Sequence, residues 1–343
     1  MAGPNQGRCN TRVDITWVDV SDPRPDDVAG AVSVLEAARL VDAPHEQPYT
    51  VRTWLAAVQH GWDGEPPRPA LARDDGGRVV GVLHLGIPER DNRHVGWVDL
   101  AVDPDVRCRG VGSALFEIAM TQLRELGRTV VVVDMFDSPA AEGFAKSLGL
   151  DAAGRDVKRR QDVWGLDRGR LAGVAAAARG AAGGYELVRI PVPAPEEMVP
   201  SVLRMMEAIN DAPTDDLMVE DEQFSAERLA DFYAAQQAAG RRIYHLAARH
   251  RETGEFGGHT VVAVESDRPY LGHQLDTSVV REHRGHRLGV LLKVGMLEWL
   301  SETEPQLRLL ETWNAASNSH MVAVNEQLGY EVVATSTSYQ RTL

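Results

Sequence analysis

Cysteine is almost absent from this 343-residue chain: Cys9 and Cys108 are the whole supply, too few for a disulfide framework or a thiolate metal site. Cys108 has no activating neighbour in the sequence that would make it a reactive thiol. Lysine is scarce as well, with only Lys146, Lys158 and Lys293, and the net charge is −14. A chain so acidic is a poor partner for nucleic acid, whose binding rests on basic surface and counterion release. It is compatible with a small cationic substrate such as an amine. No apolar run approaches the roughly 18 residues that span a bilayer, and Met1 to Arg12 contains no apolar signal core. These absences lead us to expect a soluble cytoplasmic protein with no membrane or nucleic-acid partner. His245, His259, His273, His283 and His286 lack the i, i+4 pairing with an acidic partner of a zinc site, so no metal is expected.

What the chain does contain is a short loop written twice, as Arg107-Cys108-Arg109-Gly110-Val111-Gly112 and as Arg284-Gly285-His286-Arg287-Leu288-Gly289. From 107 to 284 is 177 positions, and the same offset carries Asp99 onto Asp276, Val102 onto Val279, Gly112 onto Gly289 and Asp134 onto Glu311. A repeat of this period means two domains and not a solenoid. We expect a first domain over 1–168, an Ala/Gly-rich joint over 169–184 and a second domain over 185–343. Within that joint, Ala172 to Gly184 reads either as a flexible linker or as a short helix packed between domains.

Each loop follows an apolar strand-like run (Trp97 to Val102, Leu275 to Val280) and opens a stretch with helical spacing, Val111 to Leu126 and Leu288 to Leu300. Later strands are expected at Val130 to Val133 and Leu307 to Trp313. Final helices are expected at Pro139 to Leu148 and Ser319 to Leu328, each closed by a glycine. A Gly-containing turn at a helix start gathers main-chain N–H groups and the positive end of the helix dipole, which suits a phosphate or pyrophosphate. Neither loop is G-x-G-x-x-G and neither follows the first strand of its half, which argues against a dinucleotide fold.

Strand, R-x-x-G-x-G loop, helix, strand, and a helix ending in Leu-Gly resembles the GNAT superfamily of acyl-CoA-dependent N-acyltransferases, in its tandem bacterial form. The second loop departs from the pattern, with Arg287 where the middle glycine is usual. His283-Arg284-Gly285, Thr312-Trp313-Asn314, Asn318, Met321 and Asn325-Glu326-x-Leu328-Gly329-Tyr330 carry the likeness in the second half. The resemblance implies an α/β (α+β) chain of two tandem GNAT folds, each a mixed, mostly antiparallel sheet flanked by helices. It also implies acetyl-CoA as co-substrate and a small-molecule amine as acceptor, in a monomer or homodimer.

The resemblance further implies where the cofactor would lie. Its diphosphate would sit on the N–H groups of Arg107, Cys108, Arg109, Gly110, Val111, Gly112 and Ser113, or of Arg284, Gly285, His286, Arg287, Leu288 and Gly289. Pantetheine would pair with Ala101 and Val102, or with Val279 and Val280. Asn314 and Asn318 would bond pantetheine or cap the last helix. A base must take a proton from the amine; Asp276 is the first candidate and Glu311 the second, ahead of Asp99 and Asp134. The tyrosine that many members place three residues before the Leu-Gly pair is replaced by Asn325 and Ala145. The acceptor pocket is expected near Leu40 to His60 and Asn210 to Phe224, where Pro44, His45, Asp211, Asp215 and Asp216 stand. We read the second half as the likelier catalyst, an N-acetyltransferase acting on a primary amine. The rivals are a mycothiol-synthase-like enzyme acting on a cysteinyl glycoside and a non-catalytic acetyl-CoA sensor.

Overall fold

A computed structural model describes residues 13–343; Met1 to Arg12, with Cys9 and the missing signal core, lie outside the described residues. The chain forms two compact units. The first comprises the residues up to Gly61, Glu65–Ala153 and Thr337–Leu343, and the second comprises Trp62–Gly64 and Gly154–Ser336.

In the first unit β1 (Asp14–Trp17) is followed by α1 (Pro25–Asp42), α2 (Val51–His60), β2 (Arg68–Arg73), β3 (Val79–Gly86) and β4 (Val95–Val102), then by α3 (Val111–Glu125), β5 (Val130–Phe136) and α4 (Pro139–Ser147). Strands β1 to β4 pair antiparallel in chain order, and β5 joins β4 in parallel. Val28, Ala31 and Leu35 recur at i, i+3 and i+7 on α1 and bury one sheet face together with Trp54 and Val58 of α2. Leu115, Ala119 and Leu123 of α3 bury the other. Pro139 opens α4, where its missing N–H costs nothing, behind the Ser138 cap whose side chain accepts from Ala141 N–H.

The second unit continues through β6 (Asp151–Asp162), α5 (Arg168–Ala181), β7 (Tyr185–Ile190), α6 (Val199–Glu207), α7 (Ala226–Ala238), β8 (Arg241–His250), β9 (Phe256–Glu265) and β10 (Leu271–Val279). It then runs through α8 (Leu288–Thr303), β11 (Leu309–Ala315), α9 (Ser319–Gln327) and β12 (Glu331–Thr342). Strand order within it is β6-β11-β10-β9-β8-β7, with β10 and β11 the parallel pair. Helix α8 is buried from Leu288 to Leu297 and again at Leu300, a mostly apolar stretch whose one charged residue is Lys293.

The Ala/Gly-rich stretch is a helix. Asp167 caps α5 by accepting from the N–H groups of Gly169 and Arg170, and Ala175, Ala178 and Ala182 pack into the core of the second unit. Two strands have no counterpart in the sequence pattern, β6 and β12. The residues of β12 from Thr337 onward belong to the first unit, where the strand lies beside β5. Both units are thus mixed, mostly antiparallel sheets flanked by helices. No helix of the described residues is long and apolar enough to cross a membrane.

Candidate active site

Strands β10 and β11 are in register only from Leu271–Leu309 to His273–Glu311. A bulge between Gln274 and Thr277 then changes the course of β10, and no further residue pair joins it to β11. Val280 N–H donates to Gly257 O, toward β9. By strand alternation the Val279 N–H points to the opposite, β11 side. The first unit repeats this, because Asp103 N–H donates to Val80 O, which turns Ala101 toward β3 and Val102 toward β5. Of the four strand amides expected to meet a ligand, Val279 and Val102 face the open side and Val280 and Ala101 do not.

The loops share one backbone path despite their different glycines. Each has two residues in the left-handed region at equivalent positions: Cys108 (φ 61°) and Gly110 (φ 89°) in the first, Gly285 (φ 87°) and Arg287 (φ 55°) in the second. Each copy places glycine at one of the two and a strained L residue at the other. Arg287 therefore keeps the turn and does not break it, and its guanidinium donates to Gln327 Oε1 at 3.0 Å. Among the described residues no acceptor meets the main-chain N–H groups of Cys108, Arg109, Gly110, Val111, Gly112 and Ser113, or those of Gly285, His286, Arg287, Leu288 and Gly289. They collect at the N-termini of the long helices α3 and α8, where the dipole adds positive potential.

The first arginine of each loop is occupied elsewhere. Arg107 Nε donates to Val102 O and its guanidinium grips Asp42 at the end of α1. Arg284 Nε donates to Val279 O and its guanidinium pairs with Asp211 at 2.6 Å. These side chains clamp strand end, loop and early helix together, so their part in holding a phosphate is indirect. His283 and His286 brace the second loop from below: Tyr185 lies 2.9 Å from His283 Nδ1 and its ring packs on His286. The ligand sides of the two loops differ. A Cβ on Gly289 would meet no atom within 4 Å outside its own helical turn, whereas one on Gly112 would lie 3.2 Å from the Phe144 ring.

Asp276 sits at the β10 bulge with one oxygen held and one free. His259 Nε2 lies 2.7 Å from Asp276 Oδ2, and His245 Nε2 lies 2.8 Å from His259 Nδ1. Donation from His245 to His259 and from His259 to Asp276 satisfies both contacts. Burial, reinforced by His259, pushes the His245 pKa well below the ordinary histidine value, so this ring adds no positive charge at neutral pH. Asp276 Oδ1 is buried without a hydrogen-bond partner. Asp276, His245 and His259 line a cleft of about 160 Å³ whose other walls include Trp62, Phe224, Leu229 and Phe232. A buried, unpartnered carboxylate oxygen in a cleft is a candidate ligand atom.

The remaining expected residues fall elsewhere. Glu311 does not line the cleft; it is buried and paired with Lys158 Nζ at 2.8 Å and with Arg160, both on β6. Burial alone would raise its pKa, but the two cations outweigh it and hold the group below the usual carboxylate range. Asn318 caps α9, accepting from Met321 N–H at 3.1 Å. Asn314 Oδ1 accepts from Asn325, whose own Oδ1 accepts from the buried Lys293. In the first unit Asp99 faces His84 at 3.3 Å, and Trp54 donates to the far side of that ring; Asp134 accepts from Ser338. Asp211 clamps the loop, Asp215 accepts from Ser317, and the cleft draws on Ile209 to Phe224 of the expected acceptor region while adding Trp62 and α7.

Residues 34–150 match the family model for the acetyltransferase (GNAT) family. Over 96% of this chain and 98% of its own length, the tandem GNAT protein from the clavulanic acid biosynthesis pathway is similar at a TM-score of 0.79 and 27% identity. Residues 34–150 are a GNAT domain, and the chain has the fold of a tandem GNAT protein. A GCN5-related N-acetyltransferase from Sphaerobacter thermophilus shares the fold over 96% of the chain and 95% of that structure, at a TM-score of 0.67 and 14% identity. A 120-residue segment, 35% of the chain, is 33% identical to a mycothiol acetyltransferase of Propionibacterium freudenreichii subsp. shermanii; it spans 37% of that relative.

The histidine pair is the part of the site that sequence reasoning missed. His245, His259 and Asp276 stand on three successive strands, at separations that reflect hairpin lengths and follow no helical or metal-site spacing.

Proposed function

We propose that the second unit transfers an acetyl group from acetyl-CoA to the primary amine of a small molecule. The observation that carries this reading is the buried Asp276 Oδ1, without a hydrogen-bond partner among the described residues, in a cleft on β10, the strand that runs on into the second loop. Acetyl-CoA supplies a thioester, whose carbonyl carbon accepts an amine nitrogen and whose thiolate departs.

The residues of the chain supply the rest. The N–H groups of Gly285 to Gly289, at the positive end of α8, suit a diphosphate. Val279 N–H, turned to the open side of β10, can donate to pantetheine or to the carbonyl oxygen as negative charge develops there. The bound ammonium first gives one proton to solvent; Asp276 Oδ1 then accepts a hydrogen bond from the neutral amine and orients its lone pair. As that lone pair engages the carbonyl carbon the N–H bonds become more acidic, so a carboxylate too weak to deprotonate a free alkylammonium can take the proton. His259, backed by His245, holds the other carboxylate oxygen and keeps Oδ1 aimed into the cleft. Glu311, neutralised between Lys158 and Arg160, ties β11 to β6 and is not assigned a proton-transfer role.

In the first unit the Phe144 ring fills the space beside Gly112, which supports the second unit as the catalyst. The open space at Gly289 provides the test. Gly289→Val, whose first side-chain carbon meets no neighbour within 4 Å, is expected to fold and to lower thiol release from acetyl-CoA in the presence of an amine sharply, with circular dichroism unchanged. Intact activity in that variant would move catalysis to the first unit.

A further inference from the structure

The cleft beside Asp276 is chemically one-sided. Trp62 and Phe232 pack with ring centroids 5.7 Å apart, and Leu229 and Val261 extend the apolar wall. Its single lining cation is already neutralised: Arg228 bonds Asp63 at 2.6 Å and Glu222 at 2.7 Å while stacking over Phe224 at 4.9 Å. Those polar groups are committed to one another. Three carboxylates and one guanidinium leave an excess of negative charge, which favours a cationic occupant, and two buried polar atoms of the lining, Asp276 Oδ1 and the Tyr233 hydroxyl, have no hydrogen-bond partner among the described residues.

From this geometry we infer that the acceptor is a primary amine carried on a short tether from a single flat apolar ring, the arylalkylamine class, and that amino sugars and polyamines are excluded. The inference rests on the reading of the second unit as an acetyltransferase and specifies its acceptor. The inner volume suits a single ring, because about 160 Å³ is close to the roughly 150 Å³ of an apolar cavity that takes up benzene. A cysteinyl glycoside would extend out of the cleft into solvent. Chemistry limits the occupant further. An aromatic body gains from burial against Trp62 and Phe232, whereas each sugar hydroxyl facing that wall gives up water without a partner. A polyamine places its inner charges against the same apolar surface, where an unpaired charge is costly.

The test is thiol release from acetyl-CoA by the full chain with 2-phenylethylamine, glucosamine, spermidine and a cysteinyl glucoside at equal concentration. The expected result is a kcat/KM for 2-phenylethylamine on the order of a hundredfold above each of the others, about two tenfold steps of selectivity. Phe232→Ala should cut the advantage over glucosamine about tenfold, and 2-phenylethylamine should perturb the fluorescence of Trp62 in wild type but not in Trp62→Phe. Turnover of glucosamine, spermidine or the glycoside at the rate of 2-phenylethylamine overturns the acceptor assignment and leaves the acetyltransferase reading standing. Absence of thiol release with every amine, together with no heat on titration of acetyl-CoA, overturns that reading and the acceptor assignment with it.

Discussion

Lys293 is a cation where the first copy of the fold is oily. Counting back 177 positions reaches the fully buried Phe116, and the place of Asn325, three residues before Leu328, is taken by Ala145 before Leu148. In the second unit Lys293 Nζ donates to Asn325 Oδ1 at 2.7 Å, and Asn325 donates to Asn314 at 2.7 Å. Burial pushes the lysine pKa down to about 7. The folded value lies below the unfolded one, so between about pH 7 and about pH 10 the unfolded chain binds more protons and stability rises with pH. Below that window both states are protonated and the contribution is flat at its least favourable level. The double variant Lys293→Phe, Asn325→Ala, which copies the first unit, should lose this slope. Urea midpoints at about pH 7 and about pH 9 are expected to climb in wild type and to stay level in the variant; parallel climbs would contradict the assignment. At this scale the sequence was partly legible. Asp276 is marked by the offset from Asp99, but its histidine support depends on strand neighbours that no residue spacing announces.

Elements were most legible where periodicity and punctuation agree. Leu288 and Val111 open their helices where the loops end, and Tyr185–Ile190 is a strand as its pattern predicts. The second loop departs from the pattern at Arg287, and the turn is kept because it needs two left-handed residues and tolerates an L residue at either one. That exchange yields a prediction for the loop itself. Gly285 has open space around it, so Gly285→Ala introduces no clash and only backbone strain. It should destabilise the second unit by roughly 1 kcal/mol and weaken acetyl-CoA binding as the N–H groups turn away. A variant with unchanged melting and unchanged affinity would show that the left-handed position is dispensable. Strands β6 and β12 escaped the pattern for a physical reason. They are polar, and β6 is stabilised by cross-strand pairs such as Arg160 and Lys158 with Glu311, which are invisible until the neighbouring strand is known.

On the scale of the molecule, repetition in sequence and compactness in space are different divisions of the chain. The last residues of the polypeptide complete the first unit: Ser338 donates to Asp134, Thr337 donates to Asp137, Arg341 donates to Leu148 O, and Tyr339 and Leu343 pack against the α3 core. No local signal in Thr337 to Leu343 says which sheet it joins, because a strand's alternation names its faces and not its neighbour. Deleting 337–343 should therefore destabilise the first unit, although those residues are the farthest from it in sequence. Calorimetry is expected to show a lowered first transition with the second unit's transition retained. A loss confined to the second unit would contradict this topology.

The most direct test of the catalytic assignment is a comparison of Asp276→Asn with Asp99→Asn, assayed by thiol release with the fastest amine of the panel and by titration of acetyl-CoA. The expected result is a fall in turnover of about 10²–10⁴-fold for Asp276→Asn with cofactor affinity unchanged, and near wild-type turnover for Asp99→Asn. Wild-type turnover in Asp276→Asn, with the loss appearing in Asp99→Asn, would place the chemistry in the other unit and contradict the assignment.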